Sequence, residues 1–366
     1  MGITILRSVR TADHPERFDL IIKDGIIAEK SAAGTACGDE ILDCSDLFVS
    51  SGWIDMHVHA MESYRPYGDE IDEIGVRQGV TTIVDAGSCG ADDIGKLAEL
   101  SKITATRVLA FLNISRIGLG ERQDELSSAG WIDERTIEAS IRELGSFIVG
   151  LKARMSRSVV KDEGIRPLHM ARSMSDKTGL PLMVHIGSGP PEIEEVLNLL
   201  QSKDIITHYL NGKENNILDG KGEVLPAFLA AIKRGVHLDV GHGTASFSYQ
   251  VAERVKKSGI HPDTISSDIY RGNRINGPVH SLAEVMSKFL LLGYSLTDIV
   301  NAVTVKAATW LKRPELGRIQ VGDKANLTLF RLVQGQYVLA DSMGEIRSTQ
   351  TIIETKGAII GDKFYS

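Results

Sequence analysis

Four histidines, one lysine and one aspartate stand at the C-terminal ends of five short apolar runs. His57-Val-His59 closes the first, Val149-Gly-Leu-Lys152 the second and Met183-Val-His185 the third. Ile206-Thr-His208 and Ser266-Ser-Asp268 close the other two. If the runs are strands, residues i and i+2 face the same side, so His57 and His59 point the same way. Taken singly, each residue has a plainer explanation. A histidine at a strand end is usually a satisfied polar group, and an aspartate after two serines can cap a helix. Together they offer six ligand-type groups. Nitrogen and carboxylate donors without cysteine suit Zn²⁺, Mn²⁺, Fe²⁺ or Co²⁺.

Lys152 sharpens the reading. An ammonium inside such a cluster would meet desolvation and like-charge repulsion together. A neutral amine avoids both. So does a carbamate formed with CO₂, an anion whose two oxygens can bridge two metals about 3.5–4 Å apart. The plainer alternative is an ion pair with an acidic residue.

Those ligands need a scaffold that delivers several strand ends to one place. Eight apolar runs recur: Trp53–His57, Val80–Ala86, Arg107–Ile114, Phe147–Lys152, Pro181–His185, Ile205–His208, Val236–Val240 and Thr264–Asp268. Stretches of helical periodicity separate them, among them Asp133–Leu144, Glu192–Leu200 and Leu225–Arg234. Strands of this kind alternating with helices predict a parallel sheet buried on both faces, and eight units predict an α/β, (β/α)₈ TIM barrel. The barrel is expected over residues 52–312. The ends read as β structure: Asp19–Glu29 as a hairpin, Ile352–Gly361 as another turning at Lys356-Gly357, and Val321–Phe330 as a turn and strand. Isolated hairpins are marginal, so residues 1–51 and 313–366 are expected to form one small β-sandwich.

Composition bounds the function. The 366 residues carry 41 Lys and Arg against 48 Asp and Glu, a net charge of −7, with no basic run. That disfavours nucleic acid and anionic membranes as partners. No apolar stretch is long enough to span a bilayer, and MGITILRSVRTADHPERFDL lacks a signal peptide's apolar block. Cys37, Cys44 and Cys89 lack metal-type spacing. The expectation is a cytoplasmic enzyme with a small-molecule substrate, homo-oligomerisation being left open. There is no GxGxxG after the first strand, no GxxxxGK[ST] and no GxSxG.

The stretches GWIDMHVH, VGLKARMS, LMVHIG, ITHYLNG and SSDIY resemble the metal motifs of the amidohydrolase superfamily, in its binuclear members with a carboxylated lysine. NGKENNILD and VGHGTASF, around Asn211 and His242, look closest to its dihydroorotase-like amidohydrolase/deacetylase group. The resemblance implies that His57, His59 and Asp268 hold the more buried of two divalent ions, most simply Zn²⁺, and His185 and His208 the other. Lys152, as N6-carboxylysine, bridges them, which counts against adenosine-type deamination on a single metal. It implies hydrolysis by a metal-bridging hydroxide with Asp268 as proton shuttle. The bond is the amide or ester of a small acylated, deacetylase-like substrate. A cyclic-amide hydrolase, a lyase or isomerase, and a non-catalytic scaffold are the alternatives.

Substrate contacts are expected from four residues. Arg154 follows Lys152 by two positions, which sets its guanidinium over the mouth as a clamp for a substrate carboxylate. His242, ending the seventh run, and Asn211 are expected near the substrate. Arg271 in the loop after Asp268 is a weaker candidate, alongside Arg274. The plainer alternative for Arg154 is a pair with Glu62 or Asp69, and for His242 a hydrogen bond within its own loop.

Overall fold

The computed structural model describes residues 2–120 and 122–366. A seven-stranded parallel sheet forms its centre: β6 (Trp53–Val58), β7 (Val80–Ala86), β8 (Arg107–Asn113), β9 (Ile148–Met155), β10 (Leu182–Ile186), β11 (Ile205–Thr207) and β12 (His237–Asp239). Every residue of β7 is buried, as expected for strands covered on both faces. The expected helices are present as Glu134–Leu144, Ile193–Leu199 and Pro226–Lys233. Asp133 starts the first of these by accepting the Arg135 amide at 2.9 Å.

The eighth run does not form a regular strand. Residues 264–269 close the ring through single bridges, Asp239 to Thr264 on one side and Val58 to Ile269 on the other. The reason lies in its polar residues: Ser266 and Ser267 bond to buried carboxylates, and Asp268 adopts φ +53°, which no strand ladder accommodates.

A second departure occurs in β6, where the register to β7 slips by one residue between Asp55 and Val58. This bulge re-aims the strand. Met56 joins the apolar cluster of Val84, Phe111, Met183 and Ile205, and the next residue, His57, joins the polar centre that Lys152 contacts. The lower side of that cluster is closed by Ala307, Ala308 and Leu311.

The chain ends build two further sheets. One has the order β3-β2-β1-β4, from β1 (Ile3–Val9), β2 (Phe18–Lys23), β3 (Ile26–Ala32) and β4 (Glu40–Asp43). The other has the order β15-β14-β13-β5, from β5 (Phe48–Ser51), β13 (Asn326–Ala340), β14 (Ile346–Ile360) and β15 (Lys363–Tyr365). Leu6, Leu20, Ile22 and Ile27 pack in one cluster with Val49, Leu327, Leu329 and Ile359, so both ends of the chain share a core.

The expected hairpin over Ile352–Gly361 is corrected. β14 runs straight through it, and the register against β13 jumps from Leu329–Gly357 to Phe330–Thr355. Lys356-Gly357 is thus a bulge, and the chain reverses one turn later, at Gly361-Asp362, into β15. Gly357 has φ +146°, and a Cβ there would lie 2.3 Å from the Tyr365 carbonyl oxygen. We therefore expect Gly357→Ala to cost about 1–3 kcal/mol and to lower the thermal midpoint. A midpoint equal to wild type would show that the bulge tolerates a side chain.

Candidate metal centre

The donor atoms of His57, His208 and Asp268 lie within 4.8 Å of one another. His59 Nε2 is 3.2 Å from Asp268 Oδ1, and Lys152 Nζ is 3.3 Å from His57 Nε2. His185 stands edge-on to His208, with ring centroids 4.4 Å apart. Five strand ends thus bring all six residues together, although two of them arrive by a route that strand alternation does not give. His208 and Asp268 adopt left-handed backbone, φ +68° and +53°. For non-glycine residues that conformation costs on the order of 1–3 kcal/mol and clusters at working sites.

The rings are oriented from behind. Thr207 donates its hydroxyl hydrogen to Asp239 Oδ2 at 2.8 Å, so its oxygen accepts from His57 Nδ1 at 3.0 Å. The His57 lone pair is then on Nε2, facing the centre. The Gly241 carbonyl can only accept, so His208 Nδ1, 2.5 Å away, carries a hydrogen and leaves Nε2 free to bind. His59 Nδ1 is held by Ser88 Oγ at 2.8 Å, which turns Nε2 inward. His185 is reversed: Nε2 meets Ser156 Oγ at 3.1 Å, leaving Nδ1 for a ligand.

Three carboxylates form the outer layer. Asp239 accepts from the hydroxyls of Thr207, Thr264 and Ser266 at 2.7–2.8 Å. Burial pushes its carboxyl up, but His57 and the hydroxyls outweigh this and hold it below the ordinary range. Asp55 takes the Ser267 amide at 3.0 Å and the Ser267 hydroxyl, and burial pushes its carboxyl up to about 7. Asp85 holds the amides of Ala60 and Ser88 at 2.8 and 2.7 Å. Sequence reading missed all three, although each is the lone acid on its strand.

Lys152 is 1% exposed. Among the described residues its hydrogen-bond partners are His57 Nε2 and Met183 Sδ, with no carboxylate in ion-pairing reach. Burial pushes its amine down to about 7, against the pull of Asp268. The ion-pair alternative therefore has no partner here. A buried amine whose charged form is disfavoured, beside inward-facing imidazole lone pairs, fits a carbamate that helps hold divalent ions. For Asp268, burial pushes the carboxyl up, but the imidazoles of His57, His59 and His208 hold it well below the ordinary range.

At the mouth, Arg154 sits two residues past Lys152 on β9, with its guanidinium 5.8 Å from the Tyr67 ring centroid. Its Nε lies 3.5 Å from Glu125 Oε1, so its acidic neighbour is Glu125 and not Glu62 or Asp69. Those two engage Arg271, at 3.5 and 3.4 Å, and Arg274 grips Asp69 through two bonds of 2.6 and 3.0 Å. Arg271 thus ties the loop after Asp268 to the Glu62 and Asp69 segment. Asn211 is buried, its amide donates to the His208 carbonyl and its oxygen accepts the Lys213 amide. His242 is buried with both ring nitrogens engaged, Nδ1 by the Gly243 carbonyl and Nε2 by Lys288, so neither is left for substrate. Sequence reading also passed over Lys213, whose amine burial pushes down, Asp268 pulls up and Arg154 pushes further down.

The outer layer makes a prediction. Asp239→Ala releases Thr207 and with it His57, so metal affinity in a chelator competition should fall about 10–100-fold. Unchanged affinity would mean that the rings need no such support.

Residues 48–359 match the model of the amidohydrolase family. A deacetylase of Enterococcus faecalis is 40% identical over 350 residues, 95% of each chain. A deacetylase of Agrobacterium fabrum is 34% identical, over 93% of this chain and 85% of the relative. Among solved structures, an adenine deaminase superposes with a TM-score of 0.93 at 38% identity, covering 99% of both chains. A dihydroorotase superposes with 0.92 at 32%, over 100% and 99%. The chain belongs to the amidohydrolase family, whose members are hydrolytic enzymes.

Proposed function

We propose that this protein is a metal-dependent, deacetylase-like hydrolase that cleaves the amide or ester bond of a small substrate bearing a carboxylate. The observation that carries the reading is the buried, carboxylate-free Lys152 amine among imidazoles whose lone pairs face inward. The two deacetylase relatives support the reaction class. The cationic mouth supports the substrate class. No helix among the described residues is long and apolar enough to cross a membrane, and we infer action on a small molecule in the cytoplasm.

His57, His59, Asp268, His185, His208 and carboxylated Lys152 would hold two divalent ions such as Zn²⁺, which would supply hydroxide at neutral pH and a Lewis acid for the scissile carbonyl. The chain's own groups do the rest. Asp268, whose carboxylate lies among the donor atoms of the cluster, is the group that accepts a proton from the attacking water. It then returns that proton to the leaving nitrogen or oxygen, and no side-chain nucleophile is needed. Arg154 and Lys213 bind the substrate carboxylate, and Tyr67 packs beside it as an apolar wall.

A second reading, purine deamination, is favoured by the likeness to the adenine deaminase structure. A neutral purine offers the Arg154 guanidinium no carboxylate, which places it second. Cyclic-amide hydrolysis, as the name of the dihydroorotase neighbour suggests, uses the same groups.

The test is a panel of N-acetyl amino acids, O-acetyl hydroxy acids, cyclic ureides and adenine, each acid paired with its carboxamide. We expect an acetylated acid to be turned over and its carboxamide to lose at least about tenfold in kcat/KM, the worth of one charged hydrogen bond. Arg154→Met should erase that preference. Equal turnover of acid and amide would remove the carboxylate clamp, and turnover of adenine alone would replace the proposal with the second reading.

A further inference from the structure

Lys288, on helix Leu282–Leu291, is 0% exposed. Its three N–H groups meet three acceptors: His242 Nε2 at 3.0 Å, the Pro278 carbonyl at 2.6 Å and Glu284 Oε1 at 3.3 Å. A buried ammonium is expensive, and a leucine or methionine would fill the same space at lower cost. Its presence calls for something an apolar side chain cannot do.

An ammonium only donates, so the bond from Lys288 makes Nε2 of His242 the acceptor. The ring hydrogen is then on Nδ1, which donates to the Gly243 carbonyl at 2.9 Å. Phe247 stacks on the ring at 4.5 Å and fixes its plane. The same Gly243 carbonyl also accepts from Ser342 at 2.7 Å, in the β13–β14 turn, and the Gly243 amide donates to Ser267 at 2.9 Å. Gly243 is thereby pressed against Asp268: a Cβ on it would lie 2.3 Å from Asp268 Oδ2. With φ +54° and no side chain, its backbone forms the wall against which that carboxylate rests.

We propose that Lys288 is a positioning residue: it sets the tautomer of His242, and through it holds Gly243 against Asp268 so that the carboxylate stays aimed at the metal centre. The consequence for turnover rests on the reading of Asp268 as the proton-transfer group; the tautomer does not.

The test uses zinc-loaded protein labelled with ¹⁵N-histidine, wild type and Lys288→Met, with His242→Phe identifying the His242 signals. We expect wild-type His242 to be protonated on Nδ1 and Lys288→Met to populate the Nε2–H tautomer. An unchanged tautomer would overturn the proposal whether or not any acyl substrate is turned over. On the best substrate of the panel, Lys288→Met should lose about 10–10²-fold in kcat, the scale of a small misplacement, with KM within a few-fold and metal content unchanged. His242→Phe should lose as much, and adding Lys288→Met to it should cost nothing further. Equal losses in both backgrounds, or a lowered melting point with wild-type kcat, would reduce Lys288 to a packing residue.

Discussion

An amine buried among imidazoles, with no carboxylate of the described residues in ion-pairing reach, sets the terms for everything around it. As an ammonium, Lys152 would lie 3.3 Å from the lone pair of His57 with no anion of its own, and burial already draws it to about 7. Burial thus disfavours the charged form, and the neighbouring groups are consistent with an uncharged amine. His57, His59 and His208 all present Nε2 inward, around the Asp268 carboxylate. Oriented dipoles and lone pairs of this kind cost nothing to reorganise at the moment of reaction.

Such a centre cannot hold itself in place. Each imidazole is turned by a hydroxyl or carbonyl, and the hydroxyl behind His57 is turned by a buried carboxylate. Asp239 is saturated by three hydroxyls, and Asp55 and Asp85 by backbone and serine groups of the neighbouring strand ends. Of these acids Asp239, held below the ordinary carboxylate range, puts negative charge behind His57. The β-sandwich takes part as well, because Ser342 at the β13–β14 turn reaches the Gly243 carbonyl next to Asp268.

Much of this was legible in the sequence because strand alternation and strand-end position are simple rules. Lys152, His185 and Arg154 lie where those rules put them, and the apolar runs gave the barrel. The exceptions share a cause, which is local backbone geometry. The β6 bulge lets both Met56 and His57 reach the interior, and left-handed φ values turn His208 and Asp268 inward; alternation predicts neither. Polar serines turned the eighth strand into bridges, and Gly357 became a bulge where a turn was expected. His242 and Asn211 were drawn to the site by their place in the chain, but their polar atoms are spent on neighbouring groups. Lys288 and Lys213 gave no signal at all, since a lysine on a helix or in a loop reads as a solvated charge.

Metal stoichiometry tests the central claim most directly. Counted after loading and removal of free ion, wild-type protein should hold about two divalent ions per chain, and Lys152→Ala should hold markedly fewer. Wild type saturating at one ion, or Lys152→Ala retaining two, would contradict a centre built on a bridging lysine.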